Sequence, residues 1–463
     1  MEKQPGTRPI EGAALIVATL AAFITPFMSS SINIALPAIA QEFNMNAILL
    51  SWVPTAQVLA AAVFLVPFGR IADIYGRKRI FIYGIYVYTA ATILSVVSTS
   101  ALMLISFRVL QGIGAAMTFG TGVAILTSVF PPGERGRVLG INSAATYLGL
   151  SLGPFLGGLL TGHFGWRSIF LATVPIGLTI MVITWWKLKG EWGEAKGEKF
   201  DLSGSLIYGI AIIAIMYGFS LLPTPAGIWT VILGLLGVAI FIWWEGRQAN
   251  PVIHMDLFRH SPVFAFSNLA ALINYGATFA VTFLMSLYLQ NIKGFSPQVA
   301  GFVLLSMPAV QALFSPIAGR LSDRIEPRII SSTGMALGTI GLAMLVFLGQ
   351  NTPIWYIMAS LIIIGFGFAL FSSPNTNAIM SSVQKKFYGL ASATLSTMRQ
   401  LGFMVSMGIT MLIFAIYIGR VEITPAYYGV FLGSLKPAFL IYTVLSFGGI
   451  FASLARGKVR PKA

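Results

Sequence analysis

The strongest constraint on this chain is a pattern repeated along almost its whole length: continuously apolar stretches separated by short polar breaks. A helix needs about 20 apolar residues to cross the ~30 Å hydrocarbon layer of a bilayer. Fourteen runs meet that requirement: 12–36, 48–69, 79–99, 101–126, 138–162, 166–186, 202–222, 227–244, 262–290, 298–318, 329–349, 354–378, 389–418 and 435–455. They are continuously apolar rather than alternating in short segments, which selects helices over barrel strands. With 56% hydrophobic and only 9% charged residues the chain does not suit water. The fold class expected is an all-α polytopic membrane protein in the cell membrane. The first run follows MEKQPGTRPIE without a small-residue cleavage site and reads as a retained span, not a signal peptide.

The net charge of +15 invites a nucleic-acid reading, but its distribution argues against one. Of 29 Lys and Arg, 23 lie at the two ends and in alternate loops. Four, Arg167, Lys293, Arg420 and Lys436, fall in the opposite set, and Arg108 and Arg399 fall inside spans. This is the positive-inside pattern of an even number of spans with both termini cytoplasmic. No nucleic-acid partner is expected. The chain has no cysteine, so disulfides, Cys-ligated zinc and thiol chemistry are excluded.

GRIAD at Gly69 returns as GRLSD at Gly319, 250 positions later, and GINSAATYLGLSLG at Gly140 is matched by GLASATLSTMRQLG at Gly389, an offset of 249. Two pairs at nearly the same offset indicate an internal duplication of six spans. Runs 202–222 and 227–244 stand outside either copy. The expected organisation is therefore a six-helix bundle over 1–190, a linker and two inserted helices over 191–250, and a second bundle over 251–463. KLKGEWGEAKGEKFDLSG, joining the first bundle to the insert, reads as a solvated cytoplasmic linker.

Three motifs carry chemistry. Gly69, Asp73, Gly76, Arg77 and Lys78 place one acid among cations at a cytoplasmic span end, partly repeated at Gly319 and Asp323. Such an acid can meet a helix N-terminus and bias one conformation; the alternative is a helix cap among topology-setting cations. Arg108, with Gln111, lies in span four, where a charge costs roughly 2.5–3.5 kcal/mol on insertion scales, so it should face protein. Gly149, Gly153, Gly157 and Gly158 share a narrow strip of span five with Pro154, which allows close helix approach and a bend.

These motifs resemble those of the major facilitator superfamily: its loop signature G-x-x-x-D-R-x-G-R-K, with Ile74 in place of Arg, its span-four Arg, and its span-five antiporter pattern. FDLSG at 200–204, YLQNIKGFSPQVAG at 288–301 and RQLG at 399–402 are similar to the fourteen-span drug:proton antiporter branch, over about residues 15–455. The resemblance implies two six-helix bundles, plus two helices between them, that rock around a midplane site, with Arg108 associated with proton coupling. The departure is in span one, where MSSSINIALP puts Met28 at the place of the branch's usual acid. All fourteen acids fall at span ends or in loops, so no carboxylate is expected near the midplane, and His163, His254 and His260 sit in or beside loops.

Polar side chains in apolar spans point inward, which nominates Thr25, Ser29 and Asn33 on span one, Asn274 and Thr278 on span nine, and Arg399 on span thirteen. Met28, Tyr147, Tyr275 and Phe371 are expected to add adaptable apolar contact to a substrate cavity. For any one of them, ordinary packing is the competing reading. The function expected is a secondary transporter exporting amphipathic small molecules, with protons as coupling ion and lipid as surroundings, acting as a monomer without cofactor or metal. The alternatives are a carrier of anionic or lipid-like metabolites and, in another class, a non-transporting receptor or scaffold. Enzymatic chemistry is not supported, since the sequence has no P-loop, metal cluster or triad.

Overall fold

The computed structural model describes residues 7–131, 134–193, 197–248, 255–322, 324–384 and 388–457. Fourteen helices are long and apolar enough to cross a membrane. In the first half these are α1 (Thr7–Phe43), α2 (Ala47–Tyr75), α3 (Arg77–Val96), α4 (Ala101–Val129), α5 (Arg135–Phe164) and α6 (Arg167–Trp186). The insert supplies α7 (Leu202–Leu221) and α8 (Pro225–Glu245), and a short helix α9 (Met255–His260) leads into the second half. That half holds α10 (Pro262–Leu287), α11 (Pro297–Ser322), α12 (Pro327–Leu345), α13 (Ile354–Ser381), α14 (Tyr388–Tyr417) and α15 (Tyr428–Ala455). The duplicated sequence thus folds as two six-helix bundles with two helices between them.

Helix starts follow from local chemistry. Asn46 accepts from Leu49 N at 2.8 Å, Asp201 from Gly204 N at 2.9 Å, and Ser100 and Ser261 cap α4 and α10 in the same way. Each satisfies a backbone donor that the helix itself leaves open. Lys436, placed at a loop edge by its charge, lies on α15 with its side chain exposed. A long amine of this kind can reach the headgroup region from within a span.

The halves meet along two seams, α5 against α11 and α2 against α14. Hydrogen bonds cross between the halves from the midplane outward. Ser151 Oγ donates to Pro308 O at 3.0 Å, and Ser286 Oγ to Asn33 O at 2.5 Å. At the outer face Ala47 N donates to Val421 O at 3.0 Å. A π-helical turn, Tyr288–Ile292, ends α10 and lets Gln290 Nε2 reach Ile34 O at 3.0 Å. α7 lies over the α2–α14 seam: Tyr208 Oη donates to Ala62 O at 3.1 Å, and Phe219 packs on Gly408 of α14.

Candidate functional site

The centre of the molecule gathers side chains from both halves. Tyr147, midway along α5, has its hydroxyl 3.1 Å from Ser372 Oγ on α13, and the Tyr275 hydroxyl on α10 approaches the same oxygen at 3.5 Å. The Arg399 guanidinium carbon lies 5.1 Å from the centroid of the Tyr275 ring, within cation–π range. Arg399 Nε is buried without a hydrogen-bond partner. Around them Tyr275 meets Phe368 and Phe403 edge-on, with centroids at 5.2 and 5.5 Å, and Phe403 stacks on Phe279 at 4.1 Å. The site is therefore a guanidinium and three hydroxyls set against four aromatic rings, midway across the membrane and on the seam.

Arg108 is only 1% exposed and lies wholly inside the first half. Its Nε donates to Val53 O at 3.1 Å and Nη1 to Gln111 Oε1 at 2.8 Å. Gln111 Nε2 passes the chain to Thr92 Oγ1 at 2.8 Å, and Thr92 donates to Tyr88 O at 2.7 Å. Arg108 and Gln111 are neighbours because they lie three positions apart on α4.

The glycine strip of α5 serves two surfaces. A methyl group on Gly149 would lie 2.5 Å from Phe23 O, and one on Gly157 2.9 Å from Ser31 Cα, both on α1. Gly153 faces Ser30 and accepts from Ser31 Oγ at 2.9 Å through its carbonyl. Gly158 turns to the other half, where a methyl would sit 2.5 Å from Pro297 O, and the Pro154 carbonyl lies against Gly301 of α11.

At the cytoplasmic end, Asp73 accepts from Arg77 Nε at 2.8 Å, and Arg77 Nη1 donates to Ser128 Oγ of α4 at 2.7 Å. The expected meeting of Asp73 with a helix N-terminus takes a different form here. The acid at the α3 N-terminus is Glu191 of the linker, accepting from Lys78 N at 2.8 Å, because Arg77 already engages Asp73. Gly76, at φ +121°, suits that turn because an L side chain is strained there, and the Glu191 side chain packs against it, Cδ lying 2.5 Å from where a Cβ would be. Trp192 O accepts from Arg77 N at 2.7 Å, Glu198 pairs with Arg70, and Leu188 is fully buried. The linker KLKGEWGEAKGEKFDLSG is thus solvated in part: Lys187, Lys189, Gly190 and residues 197–199 are exposed, while Leu188 is buried and Glu191 and Trp192 dock on the α2–α3 turn. In the second copy Gly319 faces Ser373, while Asp323 lies outside the described residues.

The nominated cavity residues divide. Tyr147, Tyr275 and Arg399 come together. Ser29 is half-buried, and Thr25 is buried on α1. Asn33 and Asn274 are buried with Oδ1 and Nδ2, respectively, unpartnered, and Thr278 donates to Asn274 O at 2.8 Å. Met28 is 0% exposed in the apolar core shared with Ile32, Leu36 and Phe283, so in this state it packs rather than lines a cavity. Phe371 likewise packs within the second half, its backbone amide against Gly334 of α12. Ser372, one residue on, holds the place expected for it. Ser372, Phe368 and Phe279 were not singled out, although a serine inside an apolar span is itself a signal. Arg456, counted only as a topology-setting cation, is fully buried, bonding Asn375 Oδ1 at 3.0 Å and Ser453 O at 2.8 Å. Desolvation pushes its guanidinium down to about 10, with Glu326 pulling back.

The family model of the Major Facilitator Superfamily matches residues 18–267 and 267–463. The chain is 31% identical over 392 residues to the riboflavin transporter RibZ of Clostridioides difficile, covering 84% of this chain and 85% of that one. It is 32% identical over 397 residues to the multidrug resistance protein Stp of Mycobacterium tuberculosis, covering 84% and 73%. Among solved structures, a bacterial homologue of the human lysosomal transporter Spinster, inward-facing and occupied, superposes with TM-score 0.67 at 16% identity over 98% and 97% of the chains. A peptide transporter, POT, in complex with sulfate gives 0.69 at 13% identity over 96% and 98%. Duplicated bundles, fourteen spans and these matches together establish that the chain belongs to the major facilitator superfamily, in its drug-efflux branch.

Proposed function

We propose that this transporter exports amphipathic small molecules across the cell membrane by alternating access, exchanging them for protons. The observation that carries the reading is the junction of Tyr147 with Ser372 beside Arg399. There a polar group surrounded by aromatic rings lies where the two halves part, so a bound molecule touches both and changes sides as they rock. Multidrug and antibiotic resistance proteins among the relatives support the direction and the kind of cargo. Arg108, held by Val53 and Gln111, takes the coupling role, and the Asp73–Arg77 loop biases the two states.

The test is purified protein in proteoliposomes with an imposed pH gradient, assayed with anionic, neutral and cationic aromatic substrates. Accumulation that collapses when a protonophore is added supports antiport. Movement down the substrate gradient alone, indifferent to the protonophore, leaves a transporter without the proton.

A further inference from the structure

Resting on the reading of the Arg399 site as the substrate site, we infer that it selects planar aromatic anions and rejects aromatic cations. Arg399 sits twelve residues into the thirty-residue helix α14, deep in the membrane. Among the described residues no carboxylate forms an ion pair with it, and those carboxylates lie within two turns of a helix end or in loops. The guanidinium rests against the face of Tyr275, which balances its charge only in part, and its Nε has no acceptor. A buried donor without an acceptor carries a desolvation penalty that a ligand can relieve.

The neighbours define the rest of the ligand. The hydroxyls of Tyr147, Tyr275 and Ser372 converge on one point and can rotate to donate. A carboxylate, sulfonate or phenolate there gains charge-assisted hydrogen bonds from guanidinium and hydroxyls together. The lining is aromatic, which suits flat rings: Phe279 and Phe403 stack with an interplanar angle of 26°, and Tyr275 stands at 87° to Phe403. Rings added to this set keep offset or edge-on geometry. A cationic ligand meets an unpaired like charge at low dielectric, which is the repulsive element that specificity requires.

The test uses purified protein in nanodiscs and three size-matched probes: naphthalene-2-sulfonate, 2-naphthylmethanol and 2-naphthylmethyl-trimethylammonium. Equilibrium dialysis is expected to show the sulfonate binding about tenfold or more tighter than the ammonium. Arg399→Gln should abolish that preference, and Arg399→Lys should keep part of it. The comparison of probes on the unmodified protein does not depend on either variant folding. Preference for the ammonium, or equal binding of both, overturns the inference, as does binding of none. Proteoliposome flux then separates the two readings. A protein that pumps the ammonium keeps the transporter function and loses the selectivity, whereas one that moves none of the probes or the substrates above loses both.

Discussion

Two arginines lie in mid-membrane, one in each half, and they are held in opposite ways. Arg108 is enclosed by α2, α3 and α4, and each of its two hydrogen bonds ends on an acceptor of its own half. Arg399 leans on an aromatic ring, keeps one nitrogen unpartnered and sits on the seam. The same side chain is thus a fixed part of one bundle and an available group in the other. An arginine in a span is expensive wherever it stands; what differs is whether the protein alone satisfies it. The first arrangement survives any rigid rocking of the halves. The second offers chemistry that changes with whatever lies between them.

The largest expected effect separates the two by binding. Arg399→Gln should weaken the preferred anionic probe about tenfold or more in equilibrium dialysis while leaving the thermal midpoint in detergent unchanged or slightly raised, as substitutions at strained functional sites often do. A large drop in the midpoint without loss of binding would make Arg399 a second packing residue. Arg108→Ala is expected to do the reverse. It removes two buried hydrogen bonds, costs about 1–2 kcal/mol of stability, leaves binding within about threefold and blunts the response to a pH gradient. Unchanged gradient dependence would leave Arg108 a purely structural group.

A smaller effect sharpens the same contrast. Gln111→Leu removes two hydrogen bonds, from Arg108 and to Thr92, and should cost about 1.2 kcal/mol at the average of about 0.6 for each such bond inside a membrane, measured as a modest fall in midpoint with transport retained. Loss of transport equal to that of Arg108→Ala would make the whole chain the coupling unit. The smallest stability effect is expected at the cytoplasmic turn. Glu191→Gln removes a partly exposed pairing with Arg79 at 3.7 Å, worth under about 1 kcal/mol and weakened by salt. Its readout is the rate at which the two states exchange, followed by spin labels on α2 and α14. An exchange rate identical to the parent's would remove the linker from the mechanism.

Much of this was legible in the sequence because bilayers impose simple rules. Spans, their direction and the duplication follow from apolar length, charge placement and two nearly equal offsets. The pairing of Arg108 with Gln111 follows from helical spacing, and the α5 strip from glycines four apart. What escaped depends on rotation and docking, which a single sequence does not encode locally. Phe371 and Ser372 are adjacent, and only the packing of α13 on Gly334 decides which of them faces the seam. Met28 marks the right helix but is fully buried in the apolar core. The docking of Glu191 was not legible because an acid in a polar stretch looks soluble alone; it docks only where Gly76 and the α3 N-terminus meet it.

The two seams between the halves are closed by opposite means. Along α5 and α11 the backbones touch because Gly158 and Gly301 have no side chains to hold them apart, so this side is sealed by subtraction. Along α2 and α14 an entire extra helix is laid over the join, with Tyr208 hooked on α2 and Phe219 resting on Gly408, so that side is sealed by addition. Acyl chains therefore meet α7 rather than the α2–α14 join. An oily molecule dissolved in the bilayer finds a covered wall on one flank of the carrier and, on the other, a glycine joint with no further helix over it among the described residues.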